Sequence, residues 1–276
     1  MKHIPLGLRD YLPEDIKKRD QLIQRMKRVV ETNGYERIIT PSIENFDQLQ
    51  PALGELSEDC IMFFDGSGTR LVLRPDHTTP IARIVSTRLQ QQCPIQLYYH
   101  DPVFRKDPLL GETEIFQFGC EQIGHISIHD EVKMIQMVLD VCKEVGLEDI
   151  EIHVSHPELF ESLTDQDRKA LDQGDLVSFS SLPKKGDATL LGDFPYLSQL
   201  FTEIDALNLK NVFVNFGLYK DLTYYNGLFF DIVSKSYGKV IGSGGRYDSV
   251  LRAFNFESNA IGFALRLHYI ERALNG

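Results

Sequence analysis

Four groups of side chains in this sequence have types and spacings that could do chemistry. In LRPDHTTP, Arg74, Asp76 and Thr78 stand two apart at the end of a predicted strand, where alternate residues share a face. An acid and a hydroxyl so placed could hold an ammonium group, and they serve equally well to cap the helix that follows. In VFRKDPLLGETEIFQFGCE, Arg105 stands where a strand should end, and Gln117 and Glu121 alternate with apolar residues on a returning strand, as pocket-lining residues do. The turn between them carries Glu112 and Glu114, negative charge where a bound phosphate would want positive. Tyr224 and Tyr225 bring two phenols, by default core aromatics with one polar handle each. GSGGRYD, Gly242 to Asp248 with Arg246 inside it, could present backbone N–H groups to an anion. It matches neither a Walker loop nor a dinucleotide fingerprint, and close passage of two backbones explains its glycines equally well.

Other chemistries find less support. His125 with His129 and His153 with His156 are closely spaced, but neither pair has an obvious third ligand, so no metal is expected. Cys60, Cys93, Cys120 and Cys142 lie too far apart for a CxxC motif and read as buried free thiols. With 40 acids against 29 bases the formal net charge is −11, which disfavours nucleic acid as a partner. No signal core and no run near about eighteen apolar residues is present, so the protein is expected to be cytoplasmic with no membrane contact.

The elements that must position these residues follow from periodicity. Ile16, Leu22, Ile23, Met26, Val29 and Val30 fit one helix face, with Pro13 in the first turn and Gly34 as the stop. YERIITPSIENFD reads as one strand carrying Pro41, hence at an edge or interface. MFFDGSGTRLVLRPD reads as a hairpin turning at Asp65 to Gly68, followed by a helix over TTPIARIVSTRLQ. PIQLYYHDPVFRKD and EIFQFGCEQIG read as a long antiparallel pair. Ser127 and Asp130 form a capping box for a helix that Gly146 ends, and DIEIHVSH is the next strand. Residues 157–209, broken by glycine and proline, suggest a small helical insertion. NVFVNFGLYKDL, TYYNGLFFDIVS and KVIGSGGRYDSV resume the sheet, and AIGFALRLHYIERALNG is a strand entering a final helix. Hairpin-linked strands with helices between them predict an α+β antiparallel sheet flanked by helices, one domain over residues 1–276.

The ordered set of fragments resembles the catalytic domain of class II aminoacyl-tRNA synthetases from near Gly7 to about Arg272. PSIENFD is similar to motif 1, YYHDPVFRKD with FQFGCEQIG to motif 2, and AIGFALRLHYIER to motif 3. LRPDHTTP, LTYYNG and GSGGRYD are similar to the histidine-specific segments of histidyl-tRNA synthetase. The resemblance implies a histidine pocket of Asp76, Thr78, Arg105, Gln117, Glu121, Lys220, Tyr224, Tyr225 and Arg246. Asp76 stands for a family glutamate that holds the ammonium, and Lys220 for an arginine, without its bidentate fork.

The departures are as informative as the matches. The motif 2 loop carries Glu112 and Glu114 in place of phosphate-binding arginines, Ile115 aligns with the adenine-stacking aromatic, and Arg266, His268 and Tyr269 replace the ATP-closing residues of motif 3. No counterpart of the anticodon-binding domain is matched, so tRNA is not expected as a partner. A chain of this kind resembles the HisZ family, the regulatory subunits of ATP phosphoribosyltransferase. That resemblance implies no catalysis and no cofactor of its own, a short-form catalytic subunit (HisG) as partner, and dimers of this chain within a hetero-octamer. Feedback regulation by histidine would follow. A synthetase-like ligase that activates an amino acid and a plain histidine sensor are the competing readings.

Overall fold

The structure is a computed structural model describing residues 4–107, 111–161, 164, 191–192, 194–218 and 224–275. Lys220 and most of the expected insertion lie outside the described residues. Among those described, no helix is long and apolar enough to cross a membrane.

The first helix, α1 (Pro13–Thr32), buries Leu22, Met26 and Val30, and the left-handed Gly34 (φ 85°) turns the chain after it. Ile16 departs from the expectation: it lies on the first turns, short of the core's edge, and stays exposed. YERIITPSIENFD does not form one strand. It splits into β1 (Glu36–Arg37) and β2 (Ile43–Asn45), which belong to different sheets, because Pro41 between them has no N–H to continue a ladder. A helix that periodicity did not suggest, α2 (Phe46–Leu53), follows; Asn45 caps it by accepting from the Gln48 N–H at 3.1 Å.

The hairpin β3 (Met62–Phe64) and β4 (Arg70–Leu73) turns where expected, with Asp65 Oδ1 accepting from the N–H groups of Ser67 and Thr69 at 2.8 and 2.9 Å. After α3 (Thr78–Ile84) come β5 (Ile95–Tyr99), β6 (Pro102–Asp107) and the long β7 (Glu112–Gly124). β5 and β6 are interrupted at His100 and Asp101, yet both pair antiparallel with β7. Ser127 and Asp130 make the expected capping box of α4 (Ile128–Val145), and Gly146 closes it at φ 99°. The rest are β8 (Ile150–Ser155), α5 (Pro195–Ala206), β9 (Val212–Val214), β10 (Phe229–Ser234), β11 (Lys239–Arg246), α6 (Asp248–Arg252), β12 (Asn259–Arg266) and α7 (Leu267–Asn275).

The main sheet runs β1-β5-β7-β12-β11-β10-β8-β9, with β6 on the other half of β7, while β2-β4-β3 form a small second sheet. Its centre is antiparallel as expected, but both edges are parallel pairs, β1 with β5 and β8 with β9. One face packs against α1, α4, α5 and α7 through Met26, Phe118, Val138, Leu200, Phe263 and Ile270. The other packs against α3 and α6 through Ile81, Val85, Leu97 and Val250. The site lies on this second face, in the part the helices leave uncovered.

Arg74 ties the small sheet to the large one. It is 1% exposed, and Nη1 donates to the Thr40 carbonyl (2.6 Å) and hydroxyl (3.1 Å) while Nη2 donates to the Pro102 carbonyl (2.6 Å). Its side chain is thus turned into the interior rather than shared with Asp76 and Thr78. Replacing it with Met would strand these acceptors, at a cost on the order of 3 kcal/mol. Urea unfolding of Arg74→Met should show a loss of that size, and a change under about 0.5 kcal/mol would rule out the tether.

Candidate functional site

A cavity of about 250 Å³ opens on the α3 face of the sheet. Asp76, Thr78, Arg105, Gln117, Glu121, Tyr224 and Tyr225 all line it, brought together from β6, β7, the β4–α3 connection and the segment before β10. Along β7 the side chains alternate. Gln117 and Glu121 face the cavity while Phe118 and Cys120 enter the core behind it. His77, Tyr99 and Tyr247 also line the cavity and were not anticipated. Tyr99 could have been found by its parity on β5, which places it across from Gly119 on β7.

The electrostatics are dominated by two buried acids. Asp76 caps α3: its Oδ2 accepts from the Thr79 N–H (3.1 Å) and hydroxyl (2.8 Å), while Oδ1 is buried without a hydrogen-bond partner. The capping and ligand-holding readings of this residue are therefore compatible, one oxygen serving each. Glu121, 1% exposed, accepts from the Thr78 hydroxyl at 2.7 Å through Oε1, and its Oε2 is likewise buried and unpartnered. Burial pushes the Glu121 carboxyl up to about 8, with the nearby hydroxyls of Tyr247 and Thr78 opposing the rise and the charge of Asp76 adding to it. Burial raises Asp76 also, against the hydrogen bonds from Thr79.

His77 stacks on Tyr99 with ring centroids 4.0 Å apart, and its Nε2–H donates to the Asp101 carbonyl at 2.9 Å. Burial drives its pKa down to about 3, helped by Arg74, so the imidazole in this wall is neutral. Arg105 donates to the Pro75 carbonyl at 2.8 Å, which fixes its stem at the cavity's edge.

Room for the acids comes from glycine. A Cβ on Gly262 would overlap the Glu121 carboxylate and stand 2.5 Å from the Cys120 carbonyl; one on Gly119 would overlap the Tyr99 ring. The glycines of GSGGRYD are explained the same way, by close passage of β11 against its neighbours: a Cβ on Gly242 would lie 2.5 Å from the Ala264 carbonyl of β12, and one on Gly245 2.8 Å from Phe229 of β10. Arg246, in that stretch, does not line the cavity. Its Nε donates to both Asp248 oxygens (3.2 and 3.0 Å) and its Nη1 to Glu131 (3.3 Å), which draws it behind the wall.

The positions that depart from the synthetase pattern are occupied by their own contacts. The Glu112 carboxylate lies 3.0 Å from His268 Nε2, and burial together with Arg272, Arg266, Arg19 and Arg9 holds that imidazole neutral, its pKa about 3. Tyr269 is buried in the core, with the Arg266 guanidinium 5.7 Å over its ring. The paired histidines diverge: His129 meets Glu203 at 3.2 Å, His153 meets Glu151 at 2.9 Å, and His156 stacks on Tyr196 at 3.9 Å. Among the described residues no group of three or more metal-ligating side chains occurs.

Gly262→Ala should destabilise the fold by about 2 kcal/mol, since the added methyl meets a carbonyl and a carboxylate at once. Unfolding measurements that show no loss would contradict the close approach on which the cavity depends.

The family model described as histidyl-tRNA synthetase matches residues 7–189 and 181–270. An ATP phosphoribosyltransferase regulatory subunit of Carboxydothermus hydrogenoformans is 28% identical over 99% of this chain and 97% of its own length. A histidine–tRNA ligase of Methanocaldococcus jannaschii is 29% identical over 94% of this chain and 73% of its own. A solved structure described as an ATP phosphoribosyltransferase regulatory subunit/histidyl-tRNA synthetase from Bacillus halodurans superposes with a TM-score of 0.89, 25% identity, covering 100% of this chain and 84% of that one. The chain belongs to the histidyl-tRNA synthetase-like family, alongside proteins that bear the name of ATP phosphoribosyltransferase regulatory subunit.

Proposed function

We propose that this chain is a non-catalytic regulatory subunit of ATP phosphoribosyltransferase that senses histidine in the β7 cavity. The observation that carries this reading is the pair of buried, unpartnered oxygens, Asp76 Oδ1 and Glu121 Oε2, in one small cavity. Buried acceptors left without donors are costly, so the site is built for a ligand with at least two donor groups. An ammonium and an imidazole N–H supply both, and Arg105 in the same cavity adds positive charge for a carboxylate.

The nucleotide half supports the non-catalytic part. Glu112 faces His268 and Tyr269 is buried, so the positions that would clamp a triphosphate carry an acid, a neutral imidazole and an inaccessible phenol. The chemistry is assigned to a separate short-form catalytic subunit, with this chain as a dimer inside the hetero-oligomer. Mixing the two purified subunits should raise phosphoribosyl transfer and make it sensitive to histidine through a coupling of about 1 to 3 kcal/mol. An unchanged rate and unchanged sensitivity would refute the regulatory role. Histidine-dependent exchange of pyrophosphate into ATP should be undetectable, and its detection would favour a ligase.

Calorimetry with histidine tests the cavity. Asp76→Asn and Glu121→Gln should each weaken binding by roughly 10- to 100-fold, the loss of one charged hydrogen bond. Affinity should rise with pH from 6 to 8, because Glu121, with its pKa near 8, holds a cationic donor more strongly once it has lost its proton. The sign reverses for stability of the free protein. The folded-state pKa lies above the ordinary 4.5, so Glu121 stabilises the fold below that value and the contribution is lost as pH climbs toward 8. Glu121→Gln should flatten both profiles, and identical profiles in the variant would remove Glu121 from the account.

A further inference from the structure

Arg246 was expected to touch ligand and instead stands behind the cavity wall. It leaves the end of β11 between two acids from different elements: Asp248 at the start of α6 and Glu131, fully buried, in the first turn of α4. Asp248 is itself held on several sides, accepting from Asn259 Nδ2 and from the Ala260 N–H, both at 2.9 Å, while its own N–H donates to Asn226 Oδ1 at 2.9 Å. The Ser249 hydroxyl next to it donates to the Tyr224 carbonyl at 2.6 Å. The segment that carries both cavity tyrosines is thus anchored through α6. It is also pressed onto Arg246, since a Cβ on Gly227 would lie 2.8 Å from Arg246 Cδ.

The other oxygen of Glu131 continues the network away from the cavity. It accepts from the hydroxyl of Tyr196, on the first turn of α5, a ring that also stacks on His156 at 3.9 Å. Glu158 caps the same turn, accepting from the N–H groups of Tyr196 (3.3 Å) and Leu197 (2.8 Å). Burial raises the Glu131 carboxyl, and the Tyr196 hydroxyl and the charge of Arg246 oppose that rise. A fully buried carboxylate of this kind fixes the distance between the groups it joins, because losing either partner strands a charge.

We propose that Arg246 is a positioning residue: its fork between Asp248 and Glu131 sets the Tyr224–Tyr225 wall of the cavity and links that wall to helix α5. The ligand side of this inference rests on the amino-acid reading of the cavity; the positioning side does not. Lysine cannot reproduce the fork, as it offers a point charge in place of a planar array of donors.

The test compares the full-length protein with its Arg246→Lys variant by backbone hydrogen exchange. In the free protein, amides over residues 224–228 should exchange about tenfold faster in Arg246→Lys, with the central strands unchanged. Histidine should bind the variant roughly 5- to 20-fold more weakly. In the wild type histidine should slow exchange across Pro195–Ala206, and in the variant that slowing should vanish. A folded Arg246→Lys protein with wild-type exchange over 224–228 overturns the proposal, and slowing at 224–228 without any at α5 overturns the link. If the wild type binds no histidine, the amino-acid reading falls, while the comparison of free proteins still decides the positioning role. Should Arg246→Lys unfold globally, Glu131→Gln gives the same comparison, because it removes the charge and turns one of the two acceptors that hold Arg246 and Tyr196 into a donor while keeping the side chain's shape.

Discussion

Two carboxyl groups buried beside the sheet are the constraint from which most of this structure follows. Glu121 and Asp76 are both enclosed, share one cavity, and each keeps one oxygen without a donor. Isolated carboxylates in such surroundings would either take up a proton or force the cavity to collapse. The chain avoids collapse by geometry. Gly262 and Gly119 leave space where any side chain would strike the acids or their neighbours, and the Thr78 hydroxyl ties down the one Glu121 oxygen it can reach. The carboxyl meets the charge problem by titration instead, its pKa raised to about 8.

On the proposed reading, the positions that would meet an amino acid and those that would meet a nucleotide differ in what surrounds them. At the first, hydroxyls, acids and an arginine line the cavity. On the nucleotide side, volume and charge are used up: Glu112 turns to His268, Arg266 leans over Tyr269, and Tyr269 sinks into the core beside α7. The contrast matters more than either half alone. The difference lies in space: the acids Asp76 and Glu121 border a cavity, whereas Tyr269 and His268 are packed into the fold.

How far the sequence could be read depended on which physical signal each element carried. α1 and α4 were legible because apolar spacing and caps agree, and the β3–β4 turn because Asp65 and Gly68 have only one good use. The seven cavity residues from Asp76 to Tyr225 were legible chiefly as an ordered set, since each alone has an ordinary structural explanation. His77 and Tyr99 were missed because a buried neutral imidazole stacked on a phenol leaves no pattern in spacing. Arg246 misled for the opposite reason. Its glycine-rich surroundings suggest ligand contact, but the acids that claim it, Glu131 and Asp248, come from other elements and no local pattern announces them. The split of β1 from β2 is signalled by Pro41, and Arg74 holds the chain between them by donating to the Thr40 carbonyl.

Arg246 and Arg74 show how charge is balanced around the cavity. Arg246 sits between two carboxylates, so its charge is answered locally. Arg74 donates to carbonyls and a hydroxyl, and the acids that answer its charge, Asp101, Glu44 and Asp76, do so from a distance. Arg105 acts on Asp76 in the same way from the cavity's edge. Asp76 is thus partly balanced by arginines that do not fill its open oxygen, while Glu121 faces only hydroxyls, aromatic rings and another acid. Among the groups that act on Glu121 none is a cation, so the charge deficit of the cavity falls on the Glu121 side. A proton can make it up, and so can a ligand that brings positive charge. On the proposed reading a proton and a cationic donor answer the same deficit, so binding the donor and holding the proton compete.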